Sequence, residues 1–439
     1  MTGDLDTETV RRASRPERQT IDVDICVLGA GISGLSAALE AAEAGAEVAL
    51  VDAGSSIGGQ AVSSIIGTII GLYSHGRDPY QLTYGIAEDL INELEPTGDL
   101  KRMLSSKEVF GQEKSTVLFQ YDQVALGRWF ERRVDKADIT VIVNGLMTDV
   151  EFENRRVQHI DVEHRFGPVR IQADGFIDAS GDANLAWEAG LECREPTEEI
   201  YGTMHFLIEG YDTEAMANLD MSELNARLEA AGSQYDLDRQ SGHLKHFPKK
   251  DFVHANINHI ETPLDPLESG QLVFDGRAKA DAALAFLQGE FPDVFEGASM
   301  RTYADPGLRM TRWIVGRRQF TIDDLEGGDR PEDAIGRAAW WVELHDSPTG
   351  THWEELPRDL VYFLPLSCMI PDGADNLVAA GRCVDADTRA LSAIRVMGPC
   401  IAMGTAAAHA LDLAGTGSVH EVDMKTLQGR LEDNLTRTE

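Results

Sequence analysis

Three glycines near the amino end are spaced as G-x-G-x-x-G, a pattern typical of a turn that holds a diphosphate. In such a turn Gly29 permits a tight bend, Gly31 lets the diphosphate approach the backbone, and Gly34 lets a helix pack closely on a strand. Asp52 follows 18 residues after Gly34, where a carboxylate can accept hydrogen bonds from both ribose hydroxyls. The pattern predicts a dinucleotide site that includes Ser33; a purely structural turn is the alternative.

The elements around this turn occur in the order that such a site requires. An apolar, β-branched run over residues 21–28 predicts a buried parallel strand. An alanine-rich stretch over 35–44 predicts a helix that ends at Gly45, and residues 47–51 predict a second strand. The start of the helix would offer free N–H groups and a positive dipole end to a diphosphate. Strand, helix, strand and acid are therefore in register for one βαβ unit.

A second glycine pair, Gly58-Gly59, follows shortly after the predicted ribose acid. Its position resembles the signature of glutathione-reductase-type flavoproteins, in which this stretch runs beside the pyrophosphate toward the flavin ring. The resemblance implies FAD rather than NAD, although a surface turn would also use two glycines. The contacts expected from this stretch are Ala53, Gly58, Gly59, Gln60 and Ala61.

The middle of the chain supplies elements that would complete such a domain. A helix is predicted over residues 121–136 and a third strand over 138–143. A β-meander is predicted with strands at 147–152, 157–163 and 169–173. The meander resembles the crossover insertion of glutathione-reductase-type folds, which implies that Met147 meets the adenine through its backbone.

Two later stretches resemble further flavin-binding elements. Residues 179–182 read Ala-Ser-Gly-Asp and resemble a strand-ending A-T-G-D element, with serine keeping the hydroxyl. Residues 375–385 predict a strand that ends in glycine, and a small-residue helix with Pro399 in its first turn then continues to about residue 414. Amides at the start of that helix could face the flavin N1–C2=O edge. The contacts expected here are Ala179, Ser180, Gly181, Asp182, Gly381, Asp385, Val396 and Met397.

Together these motifs look like the FAD-dependent oxidoreductase family of bacterial flavoenzymes, whose relatives include fumarate-reductase-like and thiazole-synthase-like groups. The resemblance spans most of residues 22–414 and is weakest over 196–301. It implies an α/β fold, with a glutathione-reductase-type FAD-binding Rossmann domain, an inserted β-meander and a separate α+β substrate or cap domain. The expected units are a flexible lead-in at 1–20, a discontinuous FAD-binding domain at 21–75, 121–195 and 375–415, a substrate or cap domain at 76–120 and 196–374, and a C-terminal tail at 416–439.

Two histidines are candidates for substrate chemistry. His75 follows the glycine-rich stretch and could transfer a proton, although a structural histidine is an equal interpretation. His254 alternates with Asn256 and Asn258 along a strand predicted over 252–260. The polar face of that strand could cover the flavin, or it could simply face solvent.

Four arginines form a second group of candidates. Arg389 and Arg395 flank the last flavin motif, and Arg309 and Arg312 lie in a segment that the resemblance places at the flavin domain interface. Each could clamp a substrate carboxylate, neutralise reduced flavin or form a structural ion pair. Cys383 could be a redox thiol or a flavin tether, but it has no C-x-x-C partner, and the five cysteines predict no metal site.

The overall charge excludes several classes of partner. The chain has 74 acidic against 39 basic residues, a net charge of −35, which disfavours nucleic acid and anionic membrane surfaces. No apolar run reaches the roughly 18 residues that a membrane span needs, and the amino end lacks the apolar core of a secretory signal. A cytoplasmic protein is therefore expected, and a homo-oligomer is left open.

The leading interpretation is an enzyme that oxidises or reduces a small organic substrate by hydride transfer at flavin N5. No second G-x-G-x-x-G follows a strand, so oxygen or an unknown carrier would serve as electron acceptor. Two alternatives stay open: a thiazole-synthase-like enzyme that consumes NAD, and a non-catalytic flavin-binding subunit of a redox assembly.

Overall fold

The computed structural model describes residues 9, 17–109, 112–354, 356 and 360–438. Within them the helices are α1 (Ile32–Glu43), α2 (Gly59–Val62), α3 (Ile86–Leu94), α4 (Gln123–Lys136), α5 (Asn184–Glu188), α6 (Thr213–Ala217), α7 (Met221–Ala231), α8 (Pro266–Glu290), α9 (Pro292–Phe295), α10 (Ile322–Gly327), α11 (Thr388–Ile394), α12 (Met397–Ala414), α13 (Met424–Arg430) and α14 (Glu432–Thr436).

The strands are β1 (Gln19–Leu28), β2 (Val48–Val51), β3 (Thr68–Ile69), β4 (Leu100–Val109), β5 (Gln112–Tyr121), β6 (Thr140–Ile142), β7 (Leu146–Glu153), β8 (Arg156–His164), β9 (Gly167–Asp178), β10 (Cys193–Arg194), β11 (Phe206–Glu209), β12 (His243–Phe247), β13 (Phe252–Asn256), β14 (Ser299–Tyr303), β15 (Trp313–Ile314), β16 (Ala334–Ala338), β17 (Val342–Leu344), β18 (His352–Glu354), β19 (Tyr362–Pro365) and β20 (Leu377–Ala379). The expected lead-in at 1–20 lies mostly outside the described residues, and its last two residues already belong to β1.

The largest sheet is mixed, and its parallel part has the order β6-β2-β1-β9-β20. Strand β9 is the joint of this sheet. One edge pairs with β1 from Val169 to Asp178, while the other edge pairs first with β8 of the antiparallel β7-β8-β9 meander and then with β20. The sequence ends the meander at residue 173, whereas β9 continues to Asp178, because the same strand serves the meander and the parallel sheet.

Helices α1 and α12 cover one face of this sheet and pack on each other through small residues. A Cβ on Gly404 would lie 2.2 Å from the carbonyl oxygen of Ser33, so only glycine allows this approach. The Ser36 hydroxyl donates to the carbonyl of Ile401 at 2.9 Å. Within the described chain no single helix is long and apolar enough to cross a membrane. Helices α11 and α12 reach that length and apolar composition only when they are counted together, and the angle between them is 88°.

A second sheet, β12-β13-β11-β14, is antiparallel throughout. Side chains alternate between its faces, as in any strand. Val253 and Ala255 join a hydrophobic cluster with α8, whereas His254 and Asn256 occupy the opposite face. The strand predicted over 252–260 ends at Asn256. Asn258 lies beyond its end, where its side-chain amide accepts a hydrogen bond from the Met204 amide and donates one to the Met204 carbonyl.

The hydrophobic clusters divide the chain differently from the expected domain borders. One cluster contains only residues between Met204 and Ala298. Residues expected in the cap at 76–120 pack elsewhere: α3 is amphipathic and buries Ile86 and Leu90 in the cluster of the main sheet. The expected tail at 416–439 forms α13 and α14, and Leu435 is buried in that same cluster.

Candidate functional site

The three glycines between β1 and α1 are required for different reasons. A Cβ on Gly29 would lie 2.3 Å from the carbonyl oxygen of Ala179, and one on Gly34 would lie 1.8 Å from that of Gly29. Both positions are thus fixed by packing of the protein on itself. A Cβ on Gly31 would meet no atom within 4 Å. Gly31 also begins α1 with no side-chain cap, so the first helical amides remain available to a ligand.

Asp52 lies where β2 ends, beside the same turn. Its carboxylate accepts hydrogen bonds from the amide of Ala30 at 2.6 Å and from that of Gly54 at 2.7 Å. Each carboxylate oxygen can accept a further donor, so a ribose hydroxyl can be added. The amide of Gly145 donates to the Asp52 carbonyl, which brings the start of β7 and the half-buried Met147 toward this end of the site.

The second glycine pair packs against the first turn. The amide of Gly58 donates to the Ala30 carbonyl at 2.8 Å, and a Cβ on Gly59 would lie 2.7 Å from Cα of Gly31. The Ala61 carbonyl accepts a hydrogen bond from the Tyr121 hydroxyl at 2.7 Å. The neighbouring Ala53 is exposed, and Gln60 is partly exposed. The structure therefore brings together two motifs that lie about thirty residues apart.

The A-S-G-D element holds its own turn at the end of β9. Ser180 donates its hydroxyl to the buried Asp178 at 2.7 Å and accepts from the amide of Asp182 at 3.3 Å. Its hydroxyl therefore shapes the loop. The amide of Gly181 donates to Sγ of Cys383 at 3.1 Å, which joins this loop to the end of β20.

Asp385, one of the expected cofactor contacts, has partners within the protein. It is fully buried, and its carboxylate pairs with Nε of Arg194 at 2.9 Å and accepts from the amide of Gly316 at 2.9 Å. Gly381 does meet the first turn, since a Cβ there would lie 2.5 Å from Oγ of Ser33. The ion pair between Asp385 and Arg194 joins the segment that follows β20 to β10.

The start of α12 offers fewer free amides than the sequence predicts. Val396 is the residue before the helix and provides no side-chain cap. The amide of Gly398 donates to the Ile70 carbonyl at 3.0 Å, and Pro399 has no amide hydrogen. Of the first three positions in α12, Met397 alone keeps an amide for a ligand.

Three side chains of the second sheet hold one short segment that follows α2. We call residues 64–66 the strap. His205 Nδ1 lies 2.8 Å from the carbonyl oxygen of Ser64, and His254 Nε2 lies 2.6 Å from that of Ile65. Lys245 Nζ donates to the next carbonyl, of Ile66, at 2.9 Å. The strap is therefore fixed between the glycine-rich stretch and the polar face of the second sheet.

The other candidates occupy separate environments. The His75 ring stacks on Trp341 at 4.4 Å between centroids, and its Nδ1 lies 2.9 Å from Oγ1 of Thr116. Arg389 donates to the Glu354 carboxylate from both Nε and Nη2. It therefore forms a structural ion pair, which is one of the three roles that the sequence leaves open for it. Arg395 pairs with no carboxylate of the described residues and donates from Nη2 to the carbonyl of Glu343 at 3.1 Å.

The sequence matches the family described as FAD dependent oxidoreductase over residues 24–431. The chain belongs to this family. It is an enzyme, and FAD is its cofactor. No curated protein matches the sequence.

Solved structures resemble the fold at low sequence identity. The p-nitrophenol 4-monooxygenase from Pseudomonas putida has a TM-score of 0.51 and 12% identity, over 95% of this chain and 85% of that chain. A geranylgeranyl bacteriochlorophyll reductase-like protein from Thermoplasma acidophilum has a TM-score of 0.47 and 12% identity, over 94% and 85%.

The first turn of the oxidoreductase fits FAD on physical grounds. Gly31 opens onto empty space, the first amides of α1 are uncapped, and Asp52 has acceptor capacity to spare. The carboxyl ends of β1, β2, β9 and β20 all meet here, which is where doubly wound sheets bind their ligands. FAD bound at this edge supplies the redox chemistry that the protein side chains lack.

Burial governs the ionisation of the groups around the site. Burial lowers the pKa of His205 and His254 well below the usual range, with the nearby Lys245 adding to the effect. Burial also lowers the pKa of Lys245 itself, to about 7. Burial raises the pKa of Cys383 far above that of a free thiol, and Asp178 adds to this, so a reactive thiolate is disfavoured.

Several residues of this region escape sequence analysis. Arg239, Glu343, His345 and His205 belong to no motif, and they approach the site from three separate segments, Glu343 and His345 sharing one. The one usable signal was the locally basic hairpin around Lys245 in an acidic chain. Arg312 proves to be a partly exposed ion-pair partner of Glu195.

Proposed function

We propose that the oxidoreductase oxidises or reduces a small organic substrate by hydride transfer at flavin N5. The observation that supports this is the strap, whose three consecutive carbonyls accept hydrogen bonds from His205, His254 and Lys245. The strap follows directly from the glycine-rich stretch at residues 58–61. A substrate held beside the strap would therefore lie close to the flavin end of the cofactor.

We further propose that the domain is of the glutathione-reductase type and that residues 204–303 form its substrate unit. The β7-β8-β9 meander and the parallel strand β20 support the first part, and the separate hydrophobic cluster supports the second. The proposed FAD contacts are Gly29, Gly31, Ser33, Gly34, Asp52, Ala53, Gly58, Gly59, Gln60, Ala61, Met147, Ala179, Gly181, Asp182, Gly381, Val396 and Met397.

The side chains around the strap would prepare the site in two ways. His205 and His254 are buried and uncharged at neutral pH, so they act as fixed hydrogen-bonding groups. Their packing excludes water from the strap, which limits side reactions of a reduced cofactor. Oxygen or an electron carrier would accept the electrons.

The test begins with purified protein and its bound flavin. We expect one FAD for each chain and, in an anaerobic screen of small metabolites, bleaching of the flavin absorbance near 450 nm (roughly, for oxidised flavin). The enzyme reloaded with 5-deaza-FAD should still accept hydride from the substrate so identified, because this analogue supports hydride but not single-electron chemistry. Failure of the 5-deaza enzyme to be reduced would refute hydride transfer, and a chain that binds no FAD would refute the whole proposal.

A further inference from the structure

Four cationic side chains lie between the second sheet and the start of α12 without a carboxylate partner. They are Arg239, Lys245, Arg309 and Arg395. Among the described residues, no Asp or Glu oxygen lies within 4.0 Å of their nitrogen atoms. Other arginines of this chain do hold carboxylates, as Arg194 holds Asp385. In a chain of net charge −35, four neighbouring cations that form no ion pair are a specific feature.

Arg239 is held by neutral oxygen atoms and is only 3% exposed. Its Nη1 donates to Oδ1 of Asn256 at 2.6 Å and to the carbonyl of Asn258 at 3.2 Å. Its Nε is buried and has no hydrogen-bond partner among the described residues. A buried donor without a partner is costly, so this side of the guanidinium calls for an acceptor.

Arg309 and Arg395 are held in the same manner. Arg309 donates to the carbonyl of Tyr201 and to Oγ1 of Thr203, the latter at 2.9 Å. Arg395 donates to the backbone carbonyl of Glu343, and its buried Nε also lacks a partner in the described part of the chain. Both side chains are partly exposed.

A series of contacts connects the residues that hold Arg309 and Arg395. The Tyr201 ring stacks on His259 at 5.8 Å, and His259 Nε2 lies 3.0 Å from Nδ1 of His345. His345 Nε2 in turn lies 3.2 Å from Oε1 of Glu343, whose other oxygen accepts from the indole of Trp340. The one carboxylate in this series is thus occupied by neighbours other than the arginines.

The charge around this series of contacts is unbalanced. Burial lowers the pKa of Arg239 to about 10, so its guanidinium is still charged at neutral pH. Burial and the neighbouring Arg395 and Arg239 also lower the pKa of Arg309, and the single carboxylate of Glu343 opposes this for all three arginines. Buried charges are normally paired, because removing an ion from water is costly. The diphosphate of FAD is not the missing anion, since the cradle that fits it is the turn at Gly31.

We propose that Arg239, Arg309 and Arg395 bind the carboxylate of an organic acid, which is the substrate of this oxidoreductase. The proposal rests on the proposed function, because the site borders the strap through Lys245. Guanidinium groups suit this role because their planar donors match the two oxygens of a carboxylate. The acidic surface of the chain repels such anions elsewhere, so binding should be confined to this site.

Calorimetric titration of the purified protein tests the proposal without relying on turnover. The probes are acetate, succinate and benzoate, each paired with its neutral amide. We expect saturable binding of at least one acid, no binding of its amide, and affinity weakened roughly tenfold or more in Arg239→Gln and in Arg309→Gln, as for loss of a charged hydrogen bond. The control is Arg301→Gln, which also removes one positive charge but from an exposed position on β14 of the second sheet. This variant should bind the acid as the wild type does.

Three results would overturn the proposal: no acid binds, the amides bind equally well, or Arg239→Gln and Arg309→Gln keep the wild-type affinity. If either arginine variant fails to fold, the acid and amide titrations of the wild-type protein still decide. Flavin content, measured on the same samples, separates this result from the proposed function. Protein that carries FAD but binds no acid contradicts only the inference, whereas protein without FAD contradicts the proposed function.

Discussion

Nε2 of His254 lies 2.6 Å from the carbonyl oxygen of Ile65, a β-branched residue whose φ is +47°. Side chains of this kind rarely adopt the left-handed region, and a residue held there costs on the order of 1–3 kcal/mol. The hydrogen bond fixes the carbonyl group of this strained residue. Strain of this type persists where the surroundings impose it, which agrees with a strap that lies at a binding site.

Replacing His254 with phenylalanine keeps the ring and removes the donor. The carbonyl of Ile65 then loses its partner in a buried place, and we expect the free energy of unfolding to fall by about 1–3 kcal/mol. Urea unfolding monitored by circular dichroism measures the change. The exposed His352 is the matched control, and His352→Phe should stay within about 0.5 kcal/mol of wild type. Equal stability of the two variants would show that the strap does not depend on His254.

Gly31→Ala should remove FAD without unfolding the chain. The added methyl group meets no protein atom but occupies the approach of the diphosphate, so we expect FAD affinity to fall at least tenfold, or about 1.4 kcal/mol. Flavin content and the thermal unfolding of the apoprotein are the measurements. Gly34→Ala is the contrasting variant, because its methyl group collides with the Gly29 carbonyl and should destabilise the apoprotein itself. Full flavin content in Gly31→Ala would contradict the assignment of this turn.

The stability of the protein should depend on pH through Lys245. Its pKa falls from 10.5 to about 7 because burial disfavours the ammonium group. Between these values the unfolded chain carries a proton that the folded chain has released, so the free energy of unfolding rises with pH, by at most about 1.4 kcal/mol per unit. Below the folded value the cost of the buried charge is fully present.

Lys245→Met removes this titration and the hydrogen bond to Ile66, whose loss adds an offset that does not vary with pH. Relative to wild type, the variant should therefore be favoured most near neutral pH, and its advantage should shrink toward about pH 10. Urea unfolding of both proteins at several pH values gives the difference, in which other titrating groups cancel. A difference that is constant over this range would mean that the folded lysine keeps an ordinary pKa.

Cys383 should be chemically inert and should carry no flavin. It is fully buried, and its sulfur accepts a hydrogen bond from the amide of Gly181. Its raised pKa leaves little thiolate. Iodoacetamide should leave it unmodified in the native protein, while the partly exposed Cys193 provides an internal comparison. Peptide mass spectrometry reads the labelling, and acid precipitation should release all the flavin into solution. A flavin-modified peptide that contains Cys383 would contradict this prediction.

The dinucleotide-binding half of the site could be read from the sequence because its determinants are local. Gly29, Gly31 and Gly34 lie within six residues, and the strand, helix and strand around them follow hydrophobic periodicity. The expected role of Gly31 agrees with its open surroundings. The mixed α/β fold and FAD follow from the same motifs.

The substrate half could not be predicted in this way, since its contacts join distant parts of the chain. Asp385 lies in a predicted cofactor motif, but its ion-pair partner, Arg194, lies 191 residues away in the sequence. Glu343 and Arg239 come from separate elements that meet only through tertiary packing. No periodicity or motif in either segment records that they share one region.

Strand β20 has a consequence for how the enzyme is made. It joins the sheet beside the last three residues of β9 but is synthesised about two hundred residues later. A nascent chain therefore has one edge of its main sheet unpaired until β20 has been synthesised. Uptake of the yellow cofactor should accordingly follow synthesis of this late strand.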